Sequence, residues 1–230
     1  MARLPRLAIA GLPHLVSQRA QHQQPMVRDD EDRMRFVQYL QQMADERGVA
    51  VHAYGLRDDR FDLVVTPVDA SALSRFMQSL SRRHAHDFNR RHGRSGSLWE
   101  GRFRAAPIDP SAWLVPCMRY VEQSDGSVGG AIAVMGVPRS SLGHHTGQGT
   151  LAWIVDPPAY WALGNTPFER GASYRSLSEH ALTPGELLAI EAALRGGWIL
   201  GSADFGRSVA VDVSRAILPR RRGRPRKLAA

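Results

Sequence analysis

The chain has 230 residues, an apolar fraction of 43% and a formal charge of +8, which suits one domain with an extension, or two small domains, around an ordinary core. Its single cysteine, Cys117, excludes an intramolecular disulfide and a cysteine-built zinc site, and no stretch approaches the roughly 20 apolar residues of a membrane span. The positive balance is carried almost wholly by arginine, with Lys227 the sole lysine, and points to a polyanion partner, nucleic acid first.

In chain order, Leu12–Arg19 alternates loosely and reads as a first strand. Asp29 or Asp30 caps a following helix whose Met34, Val37, Leu40 and Ala44 recur at helical spacing, and Gly48 ends it. Val49–Leu56 and Phe61–Thr66 are two strands joined by the turn Arg57-Asp58-Asp59. Asp69 caps a long helix with a buried stripe of Leu73, Phe76, Met77, Leu80 and Phe88, ended by Gly93. Its other face carries Arg75, Arg82, Arg83, Arg90 and Arg91. Phe103–Ile108 is a fourth strand, and Pro110–Gln123 a third helix with Leu114, Cys117, Met118 and Val121 inward. Within that helix Pro116 removes a backbone donor and predicts a kink. The order of elements predicts an α+β fold: an antiparallel sheet with helices packed on one face.

Composition shifts at Ser124. Ser124–Thr150 is rich in Gly and Ser and reads as a linker. Thr166-Pro167-Phe168-Glu169 and Thr183-Pro184-Gly185-Glu186 are capping boxes with proline at the first helical position. The second opens an amphipathic helix with Leu187, Ile190, Glu191 and Leu194, closed by Gly196-Gly197, and a shorter helix follows Ser202. Such a pair is a helical hairpin or a DNA-reading helix-turn-helix. The expected organisation is a core over 1–123, a linker over 124–150, a helical region over 151–218 and a basic tail over 219–230.

In that tail, Arg222-Gly223-Arg224-Pro225 matches the core of an AT-hook, whose glycine lets the backbone lie deep in a narrow minor groove between arginines. The plain alternative is a polybasic tail for any phosphate backbone. DNA is favoured over RNA because no exposed aromatic pair for single-stranded bases is evident. In Leu98–Arg104, Trp99 either stacks on a base or caps the core, and Arg102 and Arg104, two apart on a strand, face phosphates together. Tyr120 lies a quarter turn from the inward stripe of its helix, at the border where a phenol reaches a cleft. By itself such a tyrosine is ordinarily a surface residue with its ring down and hydroxyl in water. His14, His52, His84 and His86 are assigned no metal; the last two are two apart on a helix and diverge.

Several segments, in order, resemble the REP-associated tyrosine transposases, relatives of the single-tyrosine HUH (IS200-like) transposases. They are Gly11-Leu12-Pro13-His14 with Gln18-Arg19, Val51-His52-Ala53-Tyr54, Leu73–Leu80, Phe88–His92, Gly96–Arg104, Cys117–Glu122 and the Arg-Gly-Arg-Pro tail. The resemblance implies a ferredoxin-like core, often a homodimer, that handles single-stranded or hairpin REP-like DNA. It implies Tyr120 as the nucleophile of strand nicking and transfer, and a divalent metal held by His-x-His; Arg19, Trp99, Arg102 and Arg104 are the DNA contacts expected of the core. At the two histidine positions this chain has Arg60 and Asp62. The family's Asn-Pro after the tyrosine helix is Ser124-Asp125, and its Trp before paired serines is Arg139, ahead of Ser140-Ser141.

Arg60 and Asp62 are two apart on a strand and share a face. At ~5 Å and an effective dielectric near 20 they attract by about 3 kcal/mol before desolvation. An arginine there repels a dication, and a guanidinium holds a phosphate without polarising it as a metal does. The expectation is therefore a DNA-binding, degenerate member with impaired nicking and no bound cofactor. The alternatives are an active nickase whose Mg²⁺ or Mn²⁺ is held by Asp62 with Asp58, Asp59 and Glu122, and a transcriptional regulator acting through its C-terminal helices and tail. With no signal-peptide run over residues 1–6, the expected location is cytoplasmic and nucleoid-associated, with no membrane partner.

Overall fold

The computed structural model describes residues 6–123, 137–210 and 217. Ser124-Asp125 and the tail with Arg222, Gly223, Arg224 and Pro225 lie outside the described residues. Four strands form one antiparallel sheet: β1 (His14–Arg19), β2 (Val49–Leu56), β3 (Arg60–Pro67) and β4 (Arg104–Pro107), in the order β2-β3-β1-β4. Helix α1 (Asp30–Arg47) joins β1 to β2, and α2 (Ala72–Arg91) joins β3 to β4. This is the expected ferredoxin-like arrangement.

The local signals act as their chemistry requires. Asp29 caps α1 by accepting from the Asp32 amide. Gly48 ends it at φ 63°, and a Cβ there would meet Val68 Cγ1 at 2.8 Å, so the position takes no side chain. The Met34 expectation fails: it is exposed, and the buried stripe of α1 runs through Phe36, Tyr39, Leu40 and Met43. The period is as expected, but the phase is set by contact with α2, which sequence spacing does not report.

Strand alternation divides the core in two. Val16, Phe61, Leu63 and Val65 face α1 and α2, with Phe36, Phe76, Leu80 and Phe88. Leu15, Ala53, Val64 and Ala106 face the other way, toward α3 (Leu114–Glu122), whose Leu114, Cys117, Met118 and Val121 are all buried. So the second face of the sheet is covered as well. Helix α3 begins at Leu114, not Pro110, which puts Pro116 in the first turn, where a missing N–H is harmless; the kink expected from a longer helix does not arise.

Short helices α4 (Leu142–His145) and α5 (Pro158–Trp161) precede α6 (Pro167–Ser178), α7 (Pro184–Gly196) and α8 (Ala203–Ala210). Both capping boxes are formed, Thr166 with Glu169 and Thr183 with Glu186. In α7 the buried stripe is Ile190, Ala193 and Leu194, while Leu187 and Glu191 are exposed. Residues 137–150 were expected as linker, yet Ser141, Leu142 and His145 are buried. The burial of Ser141 and His145 rests on polar pairing with Glu122, which hydrophobic patterning does not see.

That segment also closes one sheet edge: the Leu56 amide donates to the Arg139 carbonyl, the Ser141 amide to Tyr54 and the Val155 amide to Val51. On the opposite edge the Leu200 amide donates to the Pro107 carbonyl and the Asp109 amide to Leu200. Among the described residues no helix is long and apolar enough to cross a membrane.

His14 ties the chain entering β1 to the sheet. Its Nδ1–H donates to the Leu12 carbonyl at 2.8 Å and its Nε2 accepts from the Ile9 amide at 3.2 Å. Burial depresses its pKa to about 4, and burial lowers those of His52 and His84 as well. A folded pKa below the unfolded one means that the unfolded state takes up the proton first. Stability is then full above pH ~6.5 and falls as the pH drops toward 4, with His14 contributing on the order of 3 kcal/mol of that loss. Urea unfolding at pH 7 and pH 5 checks this; an unchanged midpoint would refute it.

Candidate functional site

On the α3 side of the sheet, side chains of one parity meet in a row. Arg19 pairs with Arg60 across β1 and β3, and Ser17 lies between Asp62 on β3 and Arg104 on β4. Arg60, Asp62 and Val64 thus point toward α3, where Tyr120 stands at the border of the buried stripe. The C-terminal end of α7 packs near β4 and β1 and closes the other wall. The result is a cleft of about 700 Å³ lined by Tyr120 and by Arg6, Arg19, Arg60, Arg102, Arg104 and Arg195, with Glu100 and Glu191 also on the lining.

The loop before β4 is fastened to the end of β1: the Gln21 amide donates to Leu98, the Glu100 amide to Arg19, and Gln18 Nε2 to the Gly101 carbonyl at 3.0 Å. That fastening holds Arg102 at the rim. Arg6 lies over the Phe103 ring at 3.7 Å, where burial and the charge of Arg102 lower its pKa. Burial and the charge of Arg60 do the same to half-buried Arg57. These are guanidinium groups crowded against each other, a field arranged for an external anion.

At the floor, Arg60 Nε lies 3.0 Å from Asp62 Oδ2, with side-chain exposures of 13% and 0%. The contact is a close ion pair without directed hydrogen bonds: neither Asp62 oxygen nor Arg60 Nε has a hydrogen-bond partner. Burial alone would lower the Arg60 pKa, but Asp62, Tyr120 and Asp59 hold it above its ordinary value. The Arg60 guanidinium and the Tyr120 phenol interact electrostatically at this floor. Burial first, then Asp62 and Glu191, raise the phenol's pKa, while Arg60 opposes them. Near neutral pH the hydroxyl therefore keeps its proton, and any attack by its oxygen requires an acceptor; Asp62 and Glu191 are the carboxylates acting on it.

The residues at positions 60 and 62 do not fit the divalent metal that the resemblance implies. A guanidinium stands beside the one carboxylate, with Arg57 adding a second positive charge. The neighbouring carboxylates face other partners. Asp59 faces Arg19 at 4.0 Å, Asp58 faces Arg139 at 3.5 Å, and Glu122 is buried with His145, Ser141 and Tyr174.

The structure brings Arg19, Arg102 and Arg104 together with Tyr120 and leaves Trp99 out. The Trp99 indole N–H donates to the Ser81 carbonyl at 2.9 Å, and the ring meets Phe61 edge-on and His84 at a tilt, on the α1/α2 side. Its ring packs on the core, contrary to the base-stacking expectation. Three of the five α2 arginines are likewise already paired, while Arg82 and Arg83 are exposed. Arg75 pairs with Asp69, Arg90 with Asp87, and Arg91 with Asp29, Glu31 and Asp32. Sequence reasoning missed Arg6, Arg57, Glu191 and Arg195. The last two reach the cleft because α7 returns to the sheet, a long-range contact with no local signature.

Residues 13–124 match a family model described as IS200-like transposase. No curated protein matches the chain. Among solved structures, a REP-associated tyrosine transposase bound to a REP hairpin is similar over 69% of this chain and 93% of its own, at 14% identity and a TM-score of 0.50. A candidate transposase from Deinococcus radiodurans aligns with 47% of this chain and 87% of its own, at 16% identity and a TM-score of 0.37.

Proposed function

We propose, from the match of residues 13–124 to the IS200-like transposase model, that this chain binds single-stranded or hairpin DNA in the Tyr120 cleft, with metal-dependent nicking impaired. The observation that carries this is the ring of guanidinium groups around Tyr120, set over an Arg60–Asp62 pair. Phosphates are drawn to the rim by charge. Arg60 orients the phenol and meets a phosphate oxygen, while no dication shares that seat to stabilise the charge that builds at phosphorus. The hairpin in the similar solved structure supports the choice of DNA form, and the basic tail adds a hold on neighbouring duplex.

The test is a REP-like hairpin titrated with the full chain at several salt concentrations, followed by a strand-nicking assay with Mg²⁺, Mn²⁺ or neither. Salt-dependent binding without metal-stimulated nicking is expected. Metal-stimulated nicking that is lost in Tyr120→Phe would overturn the impairment, and salt-independent or absent binding would overturn the DNA partner. Ending the chain before Pro219 is expected to flatten the salt slope by several log-log units, at about 0.9 per phosphate contact. An unchanged slope would remove the tail from the interface.

A further inference from the structure

Away from the cleft, where none of its residues contributes to the lining, a polar cluster joins the end of α3 to the segment from α4 to α5. Glu122 is buried and accepts from Ser141 Oγ, from Tyr174 Oη at 2.6 Å and from His145 Nδ1 at 2.6 Å. His145 is fully buried. Its Nδ1 is taken up by Glu122, so Nε2 is the ring atom left to take a ligand. That Nε2 is buried and has no hydrogen-bond partner. It faces Asp156 Oδ1 at 3.7 Å, a gap too long for a hydrogen bond.

His144 settles the remaining proton. Its Nδ1 accepts from the Leu151 amide at 3.1 Å, so its Nε2 bears the hydrogen and donates to the same Asp156 oxygen at 3.1 Å. His144 therefore orients the carboxylate. The atoms left to coordinate are His145 Nε2 and Asp156. A separation of 3.7 Å suits two ligands sharing one ion at bond lengths of about 2.0–2.2 Å. Carboxylate-held histidine is the outer-shell arrangement that fixes a ligand's tautomer and raises its basicity. Access is available, because Asp156 and His144 line a second opening of about 500 Å³. A second group, Asp29, Asp32 and His92, is already neutralised by Arg91.

We infer that His145 Nε2 and Asp156 bind a divalent first-row transition-metal ion such as zinc, with Glu122 and His144 as positioning residues and water from the opening completing the shell. A nitrogen ligand favours such an ion over magnesium or calcium. The ion would clamp α4 to the residues before α5, a unit that Glu122 ties to α3, and the inference does not depend on what the Tyr120 cleft does.

The test uses the full chain stripped with chelator, then titrated with zinc chloride against a chromophoric zinc competitor, with thermal unfolding followed in parallel. One zinc per chain and a rise in Tm of several degrees are expected. Asp156→Asn, at a partly exposed position, keeps an acceptor for His144 and should abolish the zinc-dependent rise with little change in the metal-free Tm. Glu122→Gln should weaken zinc binding about 10- to 100-fold. No stoichiometric zinc, or zinc binding unchanged in Asp156→Asn, would overturn the site. So would a nitrogen NMR spectrum showing both His145 ring nitrogens protonated at neutral pH in the presence of zinc.

Discussion

Replacing Arg60 with alanine is expected to destabilise the fold by about 3–5 kcal/mol, because it strands a charged group in the interior. Asp62 is fully buried between β1 and β2, and its nearest cation is Arg60. Its oxygens have no hydrogen bond to fall back on. The same reasoning predicts recovery: Arg60→Met combined with Asp62→Leu removes both charges, keeps most of the volume, and should unfold near or above the wild-type midpoint. Urea unfolding of the single and double variants decides the matter. A single variant within about 1 kcal/mol of wild type would mean that solvent or a rearranged Arg57 relieves Asp62, a cost well below that of a stranded buried charge.

The second large effect is on binding. Changing Arg19, Arg102 and Arg104 together to alanine should weaken hairpin binding a few hundredfold at about 0.1 M salt, since each phosphate contact contributes about 0.9 log units per tenfold dilution of salt from 1 M. The log-log salt slope should fall by about 2–3. The three side chains come from the end of β1, the loop before β4 and the first residue of β4, and all line the Tyr120 cleft. The comparison that isolates the cleft is Arg75 with Arg90, two arginines of α2 already matched to Asp69 and Asp87. Their removal should leave affinity within about threefold, as expected of exposed charges already paired with acids. Equal losses from the two sets would show that affinity follows net charge rather than this site.

Much of the frame was legible in the chain itself. The β2–β3 hairpin follows from two β-rich runs around Arg57-Asp58-Asp59, and Thr166 and Thr183 announce α6 and α7 through side chains that bond within one turn. Arg60 and Asp62 could be put on one face because strand alternation is local geometry. What escaped depends on partners distant in sequence. Met34 and Phe36 are both apolar, and only the position of α2 decides which is buried. Trp99 gives its indole to Ser81, and Arg91 finds three acids at the start of α1. The stretch around Ser141 and His145 looked like spacer because its burial is secured by hydrogen bonds to Glu122, for which hydrophobic periodicity has no symbol.

The closed rims of the sheet limit how two copies of this protein can meet. Main-chain groups of β2 are taken up by residues 139, 141 and 155, and those at the end of β4 by Leu200. A homodimer built by running one subunit's strand alongside another's would first have to peel those segments away. Copies that keep those segments in place would join through side chains instead, and the spacing between two clefts would then follow from side-chain packing rather than from strand register.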